Sequence, residues 1–171
     1  MKRLIALAAC MASLASPAWA ECDPQKIEAA LGAPLDKLKP FERDVSDVQS
    51  TEGGYWRVYR EKDGRLNSII RLDGGESGMG ERRLSIVNRK TYGIAVTRVD
   101  YLRHAFIEEA GPNGTAKRTT DYYYFCDGKL LVPNKDYFGG DAEAYAKDGA
   151  EAQKAMVLDK DIAEFTKGLA R

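Results

Sequence analysis

From Tyr55 onward the scattered apolar residues give way to a two-residue period. Trp56 and Val58 alternate with Arg57 and Tyr59, and Leu66, Ser68, Ile70 and Leu72 alternate with Asn67, Ile69 and Arg71. That period places successive side chains on opposite faces of a strand. Lys62-Asp63-Gly64 separates the two runs with residues that tolerate positive φ, so a hairpin is predicted. A third strand is predicted over 82–88. Residues 93–109 are long enough for one bent strand or two, because Ile94, Val96, Val99, Tyr101 and Phe106 do not keep one parity, and a bulge is expected near Arg98. Residues 110–114, ending in Asn113-Gly114, read as a loop.

The clearest hairpin joins 119–126 to 129–132 across Asp127-Gly128. A two-residue loop sets Cys126 opposite Lys129, Phe125 opposite Leu130, Tyr124 opposite Leu131 and Tyr123 opposite Val132. Tyr123, Phe125, Leu130 and Val132 then share one face, and Tyr122, Tyr124, Cys126 and Leu131 the other. Both faces are apolar, so the hairpin is expected to be covered on both sides.

Helical signals lie at the ends of the chain. Asp23-Pro24 supplies an N-cap acceptor and a first-turn proline, Ile27, Ala30 and Leu31 an apolar side, and Gly32 with Pro34 a stop. Residues 34–54 read as a connector, with a short strand near 44–49. Asp141 is a candidate cap for a second helical region, in which Ala152, Ala155, Met156, Ile162, Phe165 and Leu169 form a stripe. Gly149 is a candidate break, leaving one long bent helix or two short ones. The sum is an α+β fold: an antiparallel sheet of five or six strands, a short N-terminal helix and a C-terminal helical region packed on it.

Residues 1–20 fit none of these elements. Met1-Lys2-Arg3, the apolar run from Leu4 to Leu14 and the small-x-small Ala18-Trp19-Ala20 read as a cleavable export signal, which leaves residues 21–171 as one periplasmic or secreted domain. The apolar run is shorter than the roughly 20 residues that span a bilayer. Leu7-Ala8-Ala9-Cys10 offers an alternative, lipidation at Cys10, against which stands the short core separating Arg3 from Cys10. Removal of the leader leaves Cys22 and Cys126, an even pair whose single intramolecular pairing would tie the first helix to the central hairpin. A metal site is the poorer reading of these two cysteines with His104, since zinc spacing is missing.

The chain carries 26 Lys and Arg against 26 Asp and Glu, a balance that gives no global argument for nucleic acid. The charge is uneven, however. Residues 57–118 hold thirteen basic and eight acidic side chains, while 21–56 hold four and eight, and 119–171 hold seven and ten. A basic middle between acidic ends complements either an anionic partner or the protein's own helices.

Candidate chemistry is sparse. Arg57, Tyr59, Arg71, Arg89, Tyr122 and Tyr124 are candidate binding residues, because tyrosines interleaved with arginines suit stacking and charge-assisted hydrogen bonds; Tyr55, Trp56, Tyr101, Tyr123 and Arg103 extend the pattern. The structural alternative is that these aromatics are simply strand residues packed beneath helices. Asp73, Gly74, Gly75, Glu76, Gly78 and Gly80 form a glycine-rich, acidic stretch expected to be a flexible loop and a binding edge. It lacks a phosphate-loop lysine and fits no EF-hand spacing. His104 is the weak catalytic candidate, with Ser77 or Ser85 as nucleophile and Asp100 or Asp121 behind. Glu108 and Glu109 beside Glu76 or Glu81 are a candidate carboxylate pair. No metal or other cofactor is expected.

Tyr123-Tyr124-Phe125-x-x-Gly128-Lys129-Leu130 resembles a pattern in uncharacterised exported bacterial proteins with antiparallel meanders. The resemblance covers about residues 80–132 and implies a bacterial periplasmic domain without specifying reaction or ligand. The functional expectation is a non-enzymatic interaction domain, of inhibitor or immunity type, for an envelope protein or anionic envelope component. A small secreted hydrolase using His104 or a carboxylate pair is the alternative.

Overall fold

The computed structural model describes residues 22–44, 53–104, 114–132 and 140–169. Helix α1 (Pro24–Gly32) precedes strands β1 (Pro40–Asp44), β2 (Gly54–Arg60), β3 (Leu66–Gly74), β4 (Gly78–Asn88), β5 (Thr91–Tyr101), β6 (Thr115–Cys126) and β7 (Lys129–Leu130). Helices α2 (Ala142–Met156) and α3 (Ala163–Thr166) follow. The strands form one antiparallel sheet in chain order, a pure meander. The expected α+β class holds, and the sheet gains a seventh, two-residue strand.

One face of the sheet carries α2 and α3. Trp56, Val58, Ile69, Leu84, Tyr92, Ile94, Tyr123 and Phe125 meet Ala152, Met156, Val157 and Ile162 there. On β3 this reverses the sequence parity, because Ile69 is the fully buried residue while Ile70 and Leu72 are half-buried on the other side. A register shift causes the discrepancy: Tyr59 pairs with Ser68 but Arg60 with Leu66, so Asn67 is skipped and Leu66 turns toward the helical core. Gly149 does not interrupt α2. It is buried, and a Cβ there would lie 2.7 Å from Leu130 Cδ2 and 3.0 Å from Tyr123 Cδ1, so its bareness lets the helix approach the hairpin.

The other face carries α1. Ile27 and Leu31 cover Ala95, with Cys22, Tyr124 and Cys126 beside them. Gly93 permits this contact, since a Cβ there would come within 2.6 Å of both Ile27 Cγ2 and Leu31 Cδ1. Asp23 caps the helix by accepting from the Gln25 N–H, and the Arg83 guanidinium donates to the carbonyls of Ala30 and Ala33 at the opposite end. Burying two such aliphatic side chains contributes about 3–6 kcal/mol. A nine-residue helix is marginal without such docking, and the Cys22–Cys126 disulfide completes it.

The central hairpin has its expected register, Phe125 opposite Leu130 and Cys126 opposite Lys129. Asp127 and Gly128 both adopt positive φ, 53° and 72°, which Asp and Gly accept in a two-residue turn. Tyr123 and Phe125 face the α2 core, and Tyr124 and Cys126 face α1, so both faces are covered. The bend in β5 falls between Asp100 and Tyr101, slightly beyond Arg98. The first strand is Pro40–Asp44, ahead of the stretch expected to be extended; residues 45–49, Phe106, Glu108 and Glu109, and the loop from 110 to 113 lie outside the described residues.

Candidate functional site

The arginines and tyrosines predicted to share one surface are divided between the faces and ends of the sheet. Arg57 lies on the α1 face, where its Nε donates to Glu42 at 2.6 Å and its guanidinium stacks 4.3 Å from the Tyr55 ring centroid. Tyr59 is buried. Arg71 lies on the α2 face, 5.3 Å over the Trp56 ring, and bonds Asp73. Tyr122 and Tyr124 stay together in a cleft of about 800 Å³ at the edge of β6 with Leu131, Val132 and Tyr145. Tyr122 is half-exposed, and its carbonyl accepts from the Tyr145 hydroxyl at 2.9 Å. Three carboxylates, Asp121, Asp141 and Asp148, rim this cleft, so its charge is opposite to that expected of an anion site.

The glycine-rich stretch is ordered by pairing rather than left as a loop. Asp73 pairs with Gly80 and Gly74 with Met79, which leaves only residues 75–77 as the turn. A Cβ on Gly78 would lie 2.2 Å from the Val99 carbonyl oxygen, so that glycine serves close strand approach. Ser77 accepts through its carbonyl from the Tyr101 N–H, stitching the turn to β5.

Positive charge collects at the opposite end. In a meander, alternate turns share an end, so the β2–β3 turn and the β4–β5 turn lie side by side. Together with α3 and the residues after it they enclose a groove of about 550 Å³. Its rim holds Arg60, Arg65, Arg89 and Lys167, its floor holds Leu66, Ile86, Phe165 and Leu169, and among the described residues Glu61 is the only lining carboxylate. Arg60 is fixed by a 2.8 Å bond to the Gly64 carbonyl and lies 5.4 Å from the Phe165 ring centroid. Arg65 is held by Asp63 at 2.6 Å, a pairing that raises the arginine's pKa and lowers the aspartate's. Glu61 accepts from the Asn67 amide. Among the described residues, Arg89 and Lys167 make no ion pair. Of these four cations, the sequence pattern points only to Arg89. The flanking of one turn by Arg60 and Arg65, with Arg89 in the next turn but one, was a readable signal; Lys167 was not.

His104 meets Glu76 across the other end of the sheet, Nε2 to Oε2 at 2.5 Å, both half-exposed. Ser77 follows Glu76 in the same turn. Ser85 is buried on the α1 face, bonded to Ser68 at 3.0 Å and to Arg83 at 3.1 Å, and so is committed elsewhere. Asp121 is engaged by Arg98 at 3.3 Å. Glu81 pairs with Thr97 within the sheet. Among the described residues, no group of three or more His, Cys, Asp or Glu is arranged to hold a metal ion, and no helix is long and apolar enough to cross a membrane.

No family model, no curated protein and no solved structure matches this chain.

Proposed function

We propose that this chain is an exported, non-enzymatic interaction domain that engages an anionic envelope partner through the groove bounded by Arg60, Arg65, Arg89 and Lys167. The observation that supports this reading is the charge imbalance around one concavity: among the described residues, four cations surround an apolar floor with a single lining carboxylate. Among the described residues, Arg89 and Lys167 have no ion-pair partner and leave their side-chain donors to an external partner. Guanidinium and ammonium groups at an exposed rim recognise carboxylate or phosphate oxygens by charge-assisted hydrogen bonds, and the floor accommodates the adjoining apolar atoms.

Retention on immobilised poly-L-glutamate, measured as an apparent affinity at 0.15 M salt, tests the reading. The double variant Arg89→Glu/Lys167→Glu is expected to bind about tenfold more weakly, equivalent to about 1.4 kcal/mol. Lys147→Glu/Lys154→Glu, the same change of net charge on α2, is expected to weaken binding less than about threefold, or roughly 0.7 kcal/mol. Equal losses in the two variants would reduce the effect to net charge and remove the groove from the function.

A further inference from the structure

A further concavity lies on the face of the sheet that carries α2, at the opposite end of the sheet from the basic groove. The register aligns Asp73, Gly80 and Arg98 across β3, β4 and β5, and aligns Arg71, Arg82 and Val96 in the next row on the same face. Gly80 therefore lies bare among charged side chains. A Cβ at this position would meet no atom within 4 Å, so the missing side chain leaves open space rather than serving a close contact. The resulting notch measures about 490 Å³ and is lined by three arginines, Arg71, Arg82 and Arg98, against two carboxylates, Asp73 and Asp100.

Each arginine already has a carboxylate partner, but none uses all its N–H donors. Asp73 accepts from Arg71 Nε through both oxygens, at 3.2 and 2.9 Å, and from Arg82 NH1 through Oδ2 at 2.7 Å, so one carboxylate serves two guanidiniums. Asp159 stands farther from Arg71 NH1, at 3.8 Å. Arg98, which lines the notch and whose charge also acts on Arg82, pairs with Asp121 at 3.3 Å in a largely exposed pair that is easily exchanged. Burial is the largest influence on Arg82 and lowers its pKa, and the positive charge of Arg71 lowers it further.

We propose that the floor left open by Gly80 binds a compact oxyanion, a phosphate or carboxylate group held between the guanidiniums of Arg82 and Arg98. Each guanidinium has donors beyond those used by Asp73 and Asp121, and a fork of N–H groups matches two oxygens of such an anion. The opposing charges of Asp73 and Asp100 confine the ligand to the Arg82–Arg98 side. None of these residues belongs to the basic groove, so the inference stands apart from that reading.

The experiment is an amide NMR titration with inorganic phosphate and, separately, with acetate, at ionic strength held constant with chloride. Saturable shifts of Gly78, Gly80 and Arg98 amides are expected with at least one of the two anions; phosphate alone marks a phosphoryl ligand, and acetate with similar affinity marks a carboxylate. Gly80→Val fills the floor with a strand-compatible side chain, and Arg98→Gln removes an exposed cation; each should weaken binding at least tenfold in a protein whose remaining amide spectrum is native. Arg89→Glu/Lys167→Glu should leave the titration unchanged. Absence of saturable shifts with either anion, or saturation that survives Gly80→Val, would overturn the proposal.

Discussion

Replacement of both bridged cysteines, Cys22→Ser/Cys126→Ser, isolates the contribution of the covalent link between α1 and the hairpin. The bridge spans 104 residues of sequence and joins Cα atoms 5.8 Å apart. For a loop near this length, the chain-entropy argument gives about 4.7 kcal/mol at 25 °C from the restricted unfolded ensemble, and native bridges removed from secreted domains typically cost about 2–5 kcal/mol. At about 2–4 °C per kcal/mol for a chain of this size, the full value corresponds to a fall in Tm of roughly 10–20 °C. The loss should also be local. Without the bridge, α1 is held by Ile27 and Leu31 and by the Arg83 cap, while the α2 core built on Trp56, Tyr92 and Phe125 keeps all its contacts. Guanidinium unfolding monitored by tryptophan fluorescence measures the global term, and hydrogen exchange at α1 measures the local one. A destabilisation below about 1 kcal/mol, well under the range expected from loop closure, would refute the reasoning, as would α1 amides protected equally in both proteins.

Gly93→Ala places a methyl group within 2.6 Å of Ile27 and Leu31, and should destabilise by about 1–3 kcal/mol, chiefly by displacing α1; wild-type protection of α1 amides in that variant would contradict this. Tyr145 carries a pH signature. Burial, aided by Tyr123 and Tyr124, pushes its phenol from 10.0 to about 12. Because the folded value lies above the unfolded one, the stabilisation is complete below about pH 10 and is lost as pH rises toward about 12. Tyr145→Phe should flatten the decline of urea midpoints over that interval, and an unchanged slope would reject the assignment.

The hairpins were legible because their information is local. Asp127-Gly128 fixes positive-φ turn geometry whatever the rest of the chain does, and the register of Tyr123 to Cys126 follows from it. The pairing of Cys22 with Cys126 was legible by elimination. The site was less so. Arg57, Tyr59 and Arg71 looked like one surface because alternation reports that neighbours point apart, without saying which parity the core takes. Skipping Asn67 reversed that parity on β3, and a bulge of this kind leaves no distinct mark in composition. Gly149 read as a break because glycine weakens a helix interior, but the space above Leu130 and Tyr123 outweighed propensity.

The sequence by itself determined the α+β class, the two best hairpins, both principal helix starts and the disulfide, since each rests on neighbouring residues or on the count of cysteines. Only the tertiary structure decided which face α1 covers, that Arg60, Arg65 and Arg89 meet Lys167 in one groove, and that Gly80 lies bare beside Arg82 and Arg98. Those groupings depend on the relative register of several strands, a long-range quantity fixed by burial of the whole core rather than by any local run of residues.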